Sequence, residues 1–384
     1  MRLQVVSFDI PWPANYGGAI TVFHQLRALH EAGARIVLHC FQYGNRKQAE
    51  ELNKYCETVY YYPRSRSLWH QWSFEPFIVQ TRKNKLLLQR LVEEEAPILF
   101  EGLHTAGWLA HPALRNRRKV LRMHNIEWQY YAQLGRSAAS HWQRLYFWVE
   151  SFRLKRAEAR LLPHADSILA FSTAERDYFA RRYSAQAHYL PVFHPFEEVS
   201  SLLGKGVYAL FHGKLSVPDN ERAVIWLLEE VFAYMPDVPF TIAGMAPSKR
   251  LRSAIARFPN AVLIADPDQE HMDALIQHAQ VHVIPSFQSS GVKLKLLNAL
   301  FRGRHCVANM HTLAGTYLHS LCYVAEQATQ MRRAVQVAME TPFTADHLLR
   351  RKFFLEKHYS NRENARRLVA ILAGQCELSA ISSV

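Results

Sequence analysis

Paired cysteines, long apolar runs and nucleotide-fold fingerprints are missing from this sequence, and each absence removes a class of protein. The five cysteines (Cys40, Cys56, Cys306, Cys322, Cys376) are odd in number and widely scattered, with no CxxC pair. That argues for a reducing compartment and against a zinc or disulfide scaffold. No run of about 18 apolar residues occurs, so no segment is expected to span a bilayer. The N-terminal stretch MRLQVVSFDIPWP is too short and too interrupted to read as a signal peptide. No repeat at solenoid periods and no low-complexity tract is present. The glycine-rich turn near the N-terminus is not a GxGxxG fingerprint, which leaves a nicotinamide cofactor little support. No RRM, KH or helix-turn-helix pattern appears and the basic residues are dispersed, so nucleic acid is not an expected partner.

What is present fits a globular α/β protein. At 384 residues, 49% of them hydrophobic, the chain is long enough for two domains with full cores. Lysine and arginine outnumber aspartate and glutamate by 46 to 33, a formal charge of +13. Such an excess suits a phosphorylated small molecule or an anionic membrane surface.

Short apolar runs alternate with amphipathic stretches, the pattern of parallel sheets with crossover helices. The runs Leu3–Phe8, Ile36–Phe41, Thr58–Tyr62, Ile98–Glu101, Val120–Met123, Ser167–Phe171 and His188–Val192 predict strands in the first half. Helices are expected at Ala19–Ala32, Asn84–Glu95, His141–Leu162 and Ala174–Arg182. After a Pro/Ser/Gly-rich linker at 191–206, the pattern restarts with Tyr208–Phe211, Phe240–Ala243, Ala261–Ile264, Val281–Pro285 and Cys306–Asn309. Two doubly wound, Rossmann-like domains facing across a cleft are therefore expected. Ligands in such sheets sit beyond the carboxyl ends of the strands.

Four strand-end loops carry candidate chemistry. After the first run, NYGGAITVF places Gly17 and Gly18 at a helix start, where bare amides face an anion or the glycines simply make a tight turn. His104 and His124 follow two neighbouring runs, and Asn125 and Glu127 lie beside the second histidine. In the second half, FHGKLSVPDNERAV sets Gly213 and Lys214 at a strand end. Lys214 is either a counter-charge for a diphosphate or a solvated loop lysine. Finally, SFQSSGVKLKLLNALFRG runs from a strand end into a helix whose first turn carries Lys293 and Lys295. Cations there oppose the helix dipole by about 0.3–1 kcal/mol each, which a bound anion offsets.

These loops, in this order, resemble the family 4 retaining glycosyltransferases of GT-B fold, over nearly the whole chain. The resemblance implies an acceptor-side domain at 1–195 and a nucleotide-sugar-binding domain at 205–345. The C-terminal helices of 346–384 would pack back toward the first domain. It implies transfer of a hexose-type sugar from a nucleoside-diphosphate donor to a saccharide or lipid-linked saccharide, as in surface-polysaccharide assembly. The donor-binding residues would be Gly17, Gly18, Gly213, Lys214, Ser290, Gly291, Val292, Lys293, Lys295, Leu296, Leu297 and Asn298. His124, the catalytic-site candidate, would position the donor sugar. No metal and no cofactor are implied, and no DxD pair is placed to carry a metal: the string 266–268 reads as a loop. The family commonly has two glutamates where this chain has Ser290 and Asn298. Asn298 can still bond a ribose hydroxyl as a neutral partner, whereas Ser290 leaves the sugar hydroxyls without a carboxylate. The family's second basic donor residue is also replaced, with Asn220, Lys293 and Lys295 nearby.

Two segments mix bases with aromatics, 64–72 and 141–160. In the second, Trp142, Leu145, Val149 and Phe152 share one helical stripe. That stripe reads either as core, with a basic solvent face, or as an interfacial helix for anionic lipid. The expected location is cytoplasmic, with a peripheral position on the inner face of the plasma membrane if the lipid reading holds. The readings set against enzymatic transfer are a nucleotide-sugar epimerase and a non-catalytic GT-B protein that binds a nucleotide or a partner enzyme.

Overall fold

The structure, a computed structural model, describes residues 1–65, 73–138, 140–183, 186–288 and 294–375. The chain forms two compact units, Met1–Pro195 completed by the segment from Tyr359 onward, and Phe196–His358.

The first unit is built on strands β1 (Arg2–Ser7), β2 (Arg35–Gln42), β3 (Thr58–Pro63), β4 (Ile98–Glu101), β5 (Lys119–Met123), β6 (Ser167–Ala170) and β7 (Gln186–Tyr189). They pair in the order β3-β2-β1-β4-β5-β6-β7, every pair parallel. Helices cover both faces, which is why the strands read as apolar runs rather than as alternations. Ile98 and Phe100 join Leu87, Leu154 and Phe179 in one core layer. Leu99 between them points the other way, to Leu26, Leu29, Leu368 and Ile371.

The second unit uses β8 (Ala209–His212), β9 (Phe240–Gly244), β10 (Ala261–Ala265), β11 (Val281–Ile284), β12 (His305–Ala308) and β13 (Tyr323–Val324), in the order β10-β9-β8-β11-β12-β13. Each sheet reverses its winding once, between β1 and β4 and between β8 and β11. Those reversals open the crevices where doubly wound sheets bind ligands.

The two-residue β13 was too short to announce itself by periodicity. At the C-terminal end the units divide at Tyr359, later than the expected 346. The helix Ala345–Tyr359 is anchored in the second unit through buried Arg351, which bonds Ser201 Oγ and the carbonyls of Gly303 and Arg304. The helix Asn361–Leu372 packs on Gly17–Glu31 in the first.

Of the two readings of the stripe in 141–160, the structure excludes the core one. The helix His141–Leu161 forms at the predicted place, but its apolar stripe is not core. Trp142 is 82% exposed and Phe152 63%, and Leu145, Tyr146, Trp148 and Val149 are exposed too. The buried face is instead Glu150, Ser151, Leu154, Ala157, Glu158 and Leu161. Its polar members each find partners nearby, although Glu158 Oε2 has none among the described residues. Glu150 accepts from the Phe77 amide at 2.8 Å, Ser151 donates to the Trp128 carbonyl at 2.7 Å, and Glu158 accepts from the hydroxyls of Tyr178 and Tyr183. A preceding helix, Glu127–Ser137, completes a hairpin with it. There a β-carbon on Gly135 would stand 3.4 Å from Phe147 Cβ.

Candidate functional site

In the first unit the site elements gather at the ends of β1, β4 and β5. Gly17 and Gly18 open the helix Gly17–Glu31, which has no side-chain cap and no acidic residue in its first turn. Its free amides and positive dipole end are thus open to an anion. Gly18 is required by packing: a β-carbon would sit 2.8 Å from the Phe8 ring. The loop before it is held by Asp9, which accepts from the Ile10 amide at 2.8 Å and the Tyr16 hydroxyl at 2.6 Å and pairs with Arg46. Burial nonetheless pushes the Asp9 carboxyl up, with these partners opposing it.

Phe8 also ties this loop to His124, the two rings meeting edge-on with centroids 5.1 Å apart. His124 Nε2 lies 2.8 Å from Glu101 Oε2, at the end of a fully buried strand. Glu101 Oε1 accepts from Gln25 Nε2 at 2.6 Å, and the same amide's oxygen accepts from Arg122. Arg122 also donates to the Pro191 carbonyl at 2.7 Å and lies against Phe171 and Phe193. Burial favours a neutral Glu101, but the bond to His124 and the charge of Arg122 outweigh it and hold the carboxyl below its ordinary range. The result is an imidazole oriented by a buried carboxylate, itself fixed from behind by an amide and a guanidinium. His104, the other strand-end histidine, is half-buried, and desolvation drives it well below its normal pKa, which suits a neutral ring. Gly102, at φ +72, admits both rings, since a β-carbon there would lie 3.0 Å from His104 Nδ1.

In the second unit Lys214 is exposed just past β8. Gly213 before it is needed for close approach: a β-carbon would stand 3.3 Å from Asn220 Nδ2. Asn220 works as a bracket, its Nδ2 donating to the Lys214 carbonyl at 2.9 Å and its Oδ1 accepting from Lys295 Nζ at 2.8 Å. The main chain of Lys214 and the ammonium of Lys295 are thereby joined through one side chain. Lys295 also sits 4.4 Å above the Phe211 ring. Beneath them His212 is buried and pushed down to about 3, by desolvation first and then by the charge of Lys295. A neutral imidazole leaves the positive charge with the lysines.

The loop that follows β11 is pinned at its start from two sides. Asp219 accepts from Ser286 Oγ at 2.7 Å and from the Phe287 amide at 3.1 Å. Asn309, after β12, accepts from the Ser286 amide at 3.1 Å and donates to its carbonyl at 2.7 Å. Ser290, Gly291, Val292 and Lys293 lie outside the described residues. Past them, Lys295, Leu296 and Leu297 occupy the first turn of the helix Leu294–Arg302. The Leu296 and Leu297 side chains are core, so only their backbone amides can serve a ligand. Asn298 Oδ1 is buried with no hydrogen-bond partner among the described residues, an acceptor in want of a donor.

Glu101, Gln25 and Arg122 escaped the sequence reading, as did Asp219 and Asn309. Glu101 had left a trace, as a carboxylate ending the otherwise apolar ILFE run. The others act through chain-distant bonds that no local pattern reveals.

Comparison with known proteins agrees with this architecture. Residues 16–196 match the model for Glycosyltransferase Family 4, and residues 206–336 match that for Glycosyl transferases group 1. An uncharacterised 44.6 kDa protein in the cps region of Klebsiella pneumoniae is 30% identical over 314 residues, 78% of this chain and 80% of that one. Among solved structures, TarM superposes with a TM-score of 0.67 at 9% identity, covering 97% of this chain and 98% of that one. The Anabaena protein HepE, in complex with UDP and glucose, gives 0.63 at 12% identity, covering 97% and 100%. The chain belongs to the family 4 glycosyltransferases and has their two-domain α/β GT-B fold.

Proposed function

We propose that this glycosyltransferase moves a hexose-type sugar, with retained anomeric configuration, from a nucleoside-diphosphate donor to a saccharide or lipid-linked saccharide acceptor. Capsule or other surface-polysaccharide assembly at the cytoplasmic face of a membrane is the setting, in keeping with the cps-region relative. The observation that carries the reading is the bracket of Lys214, Asn220 and Lys295 at the reversal point of the second sheet. It holds the main chain of Lys214 beside the ammonium of Lys295, so that both lysines can serve a leaving diphosphate there. Lys295 takes the place of the family's second basic donor residue, and Asn220 orients it.

In this reading Lys214, Lys295 and Lys293, with the amides of Ser290, Gly291, Val292, Leu296 and Leu297, stabilise the diphosphate as its bond to the sugar breaks. The cationic side chains supply the charge compensation, so no metal ion and no cofactor is assigned. Gly213 lets the backbone approach closely, and Asn298 Oδ1 takes a ribose hydroxyl as its missing donor. Gly17, Gly18 and His124 contact the donor sugar, His124 as a positioning group held by Glu101. No protein nucleophile is assigned.

The test is a thermal-shift panel of UDP, GDP, ADP and dTDP with their sugar conjugates, on wild type and Lys214→Ala. A ligand at 100 times its dissociation constant adds about 2.7 kcal/mol of stability. One nucleotide series should shift wild type and fail to shift the variant. No shift with any of them would overturn the donor assignment and favour a non-catalytic GT-B protein. Once a donor is identified, the anomeric signal of the product in proton NMR tests retention directly.

A further inference from the structure

The helix His141–Leu161 is built inside out, and that inversion points to a partner. Its exposed apolar side chains recur as Trp142, Leu145, Val149 and Phe152, three and four residues apart and hence on one line, with Trp148 beside them. Continuing that line by four residues at a time reaches Arg156 and then Arg160, both exposed. Every exposed charge on the helix is basic or a histidine: His141, Arg144, Lys155, Arg156 and Arg160. Its two carboxylates, Glu150 and Glu158, face inward and accept hydrogen bonds there. Phe74, 91% exposed, belongs to a segment tethered against the same helix by the Phe77 amide on Glu150 and by the Arg160–Glu75 pair.

An apolar end followed by a cationic end, with no exposed carboxylate, is complementary to a bilayer carrying negative headgroups. The aromatics suit the acyl boundary and the arginines the headgroup layer. A second copy of the chain would bring the same cations face to face, so the charge argues against self-association here. We propose that the Trp142–Phe152 face, with Arg144, Lys155 and Arg156, docks on an anionic lipid surface. This deepens the proposed transfer to a lipid-linked acceptor, yet it rests on the first unit alone.

Flotation with phosphatidylcholine vesicles, with and without about one third phosphatidylglycerol, tests it. Wild type should float with the anionic vesicles and much less with the neutral ones. Trp142→Ser with Phe152→Ser, and separately Arg144→Gln with Arg156→Gln, should each weaken binding by about tenfold or more. Because these side chains are exposed, both variants should melt like wild type and keep any nucleotide-induced shift. Those controls separate loss of docking from misfolding and from failure of the donor assignment. Equal binding of wild type and both variants would overturn the proposal, as would wild type that ignores anionic vesicles. So would a dimer in analytical ultracentrifugation that is lost in Trp142→Ser/Phe152→Ser while vesicle binding is absent: that result would make the face a self-association surface.

Discussion

Replacing Glu101 by glutamine tests how the first unit holds His124. Glu101 is fully buried, and its two oxygens accept separately from His124 Nε2 and Gln25 Nε2. A glutamine has one acceptor oxygen, so one of these donors would face an NH2 group and lose its bond. That alone costs about 1–3 kcal/mol. Arg122, equally buried, would lose the carboxylate that compensates its charge through Gln25. Breaking a directly paired buried ion costs about 3–5 kcal/mol. With an amide between the charges and the two effects overlapping, a total near 3 kcal/mol is expected. Urea denaturation followed by circular dichroism should show a lower midpoint with an unchanged slope. Adding Arg122→Met should restore part of the loss, since it removes the stranded charge. The pH dependence supplies a second check. Glu101 has a depressed pKa in the folded state, so its contribution is complete above the unfolded carboxyl value, about 4.5, and is lost as pH falls through the lower folded value. Glu101→Gln should lack that acid-side loss. A change below about 1 kcal/mol, with no rescue by Arg122→Met, would refute the coupled arrangement.

Other expectations follow from single contacts. Gly244→Ala places a methyl 1.8 Å from the Gly213 carbonyl oxygen; it should cost about 1–3 kcal/mol or more and weaken nucleotide binding, read by denaturation and thermal shift together. Asp219→Ala frees Ser286 and the Phe287 amide, so affinity for the nucleotide should fall several-fold in calorimetry while Asp219→Asn retains more of it. Asn298→Leu removes the unpartnered acceptor and should weaken a ribonucleotide more than its 2′,3′-dideoxy analogue. Glu127 is buried and pushed up to about 8, by desolvation and then by neighbouring glutamates. The folded state therefore loses stability relative to the unfolded between about pH 4.5 and 8. Glu127→Gln should accordingly melt higher than wild type near pH 8 and show little gain near pH 4.

The sheets were legible because buried parallel strands must be continuously apolar; Ile98–Glu101 was bounded correctly and the other runs to within a few residues. Lys214 and His124 were legible as strand-end residues because topology alone brings such ends to a crevice. The helix His141–Leu161 was legible as a helix but not in its orientation. Periodicity reports which residues share a face, not which face the protein covers, and Glu150 and Glu158 find partners only after Phe77, Tyr178 and Tyr183 arrive. The Glu101–Gln25–Arg122 arrangement joins three separate elements, β4, the helix Gly17–Glu31 and β5, and no local sequence pattern carries such a relation. The aromatic segment 64–72 falls mostly outside the described residues, as do Ser290 to Lys293.

The return of the helix Asn361–Leu372 to the helix Gly17–Glu31 has a consequence for biosynthesis. Ala365, Leu368, Ile371 and Leu372 sit in the same core as Leu3, Leu26, Leu29 and Leu99. A ribosome making this chain thus releases the second unit's residues before it has supplied the first unit's last core helix. Until then the nascent first unit carries an uncovered apolar strip along Leu26 and Leu29 of the helix Gly17–Glu31. Translation order and structural order run opposite here: the earliest-made half is the last to be sealed. Expression of residues 1–195 alone should yield aggregation-prone material, soluble again when a peptide spanning 359–375 is supplied in trans.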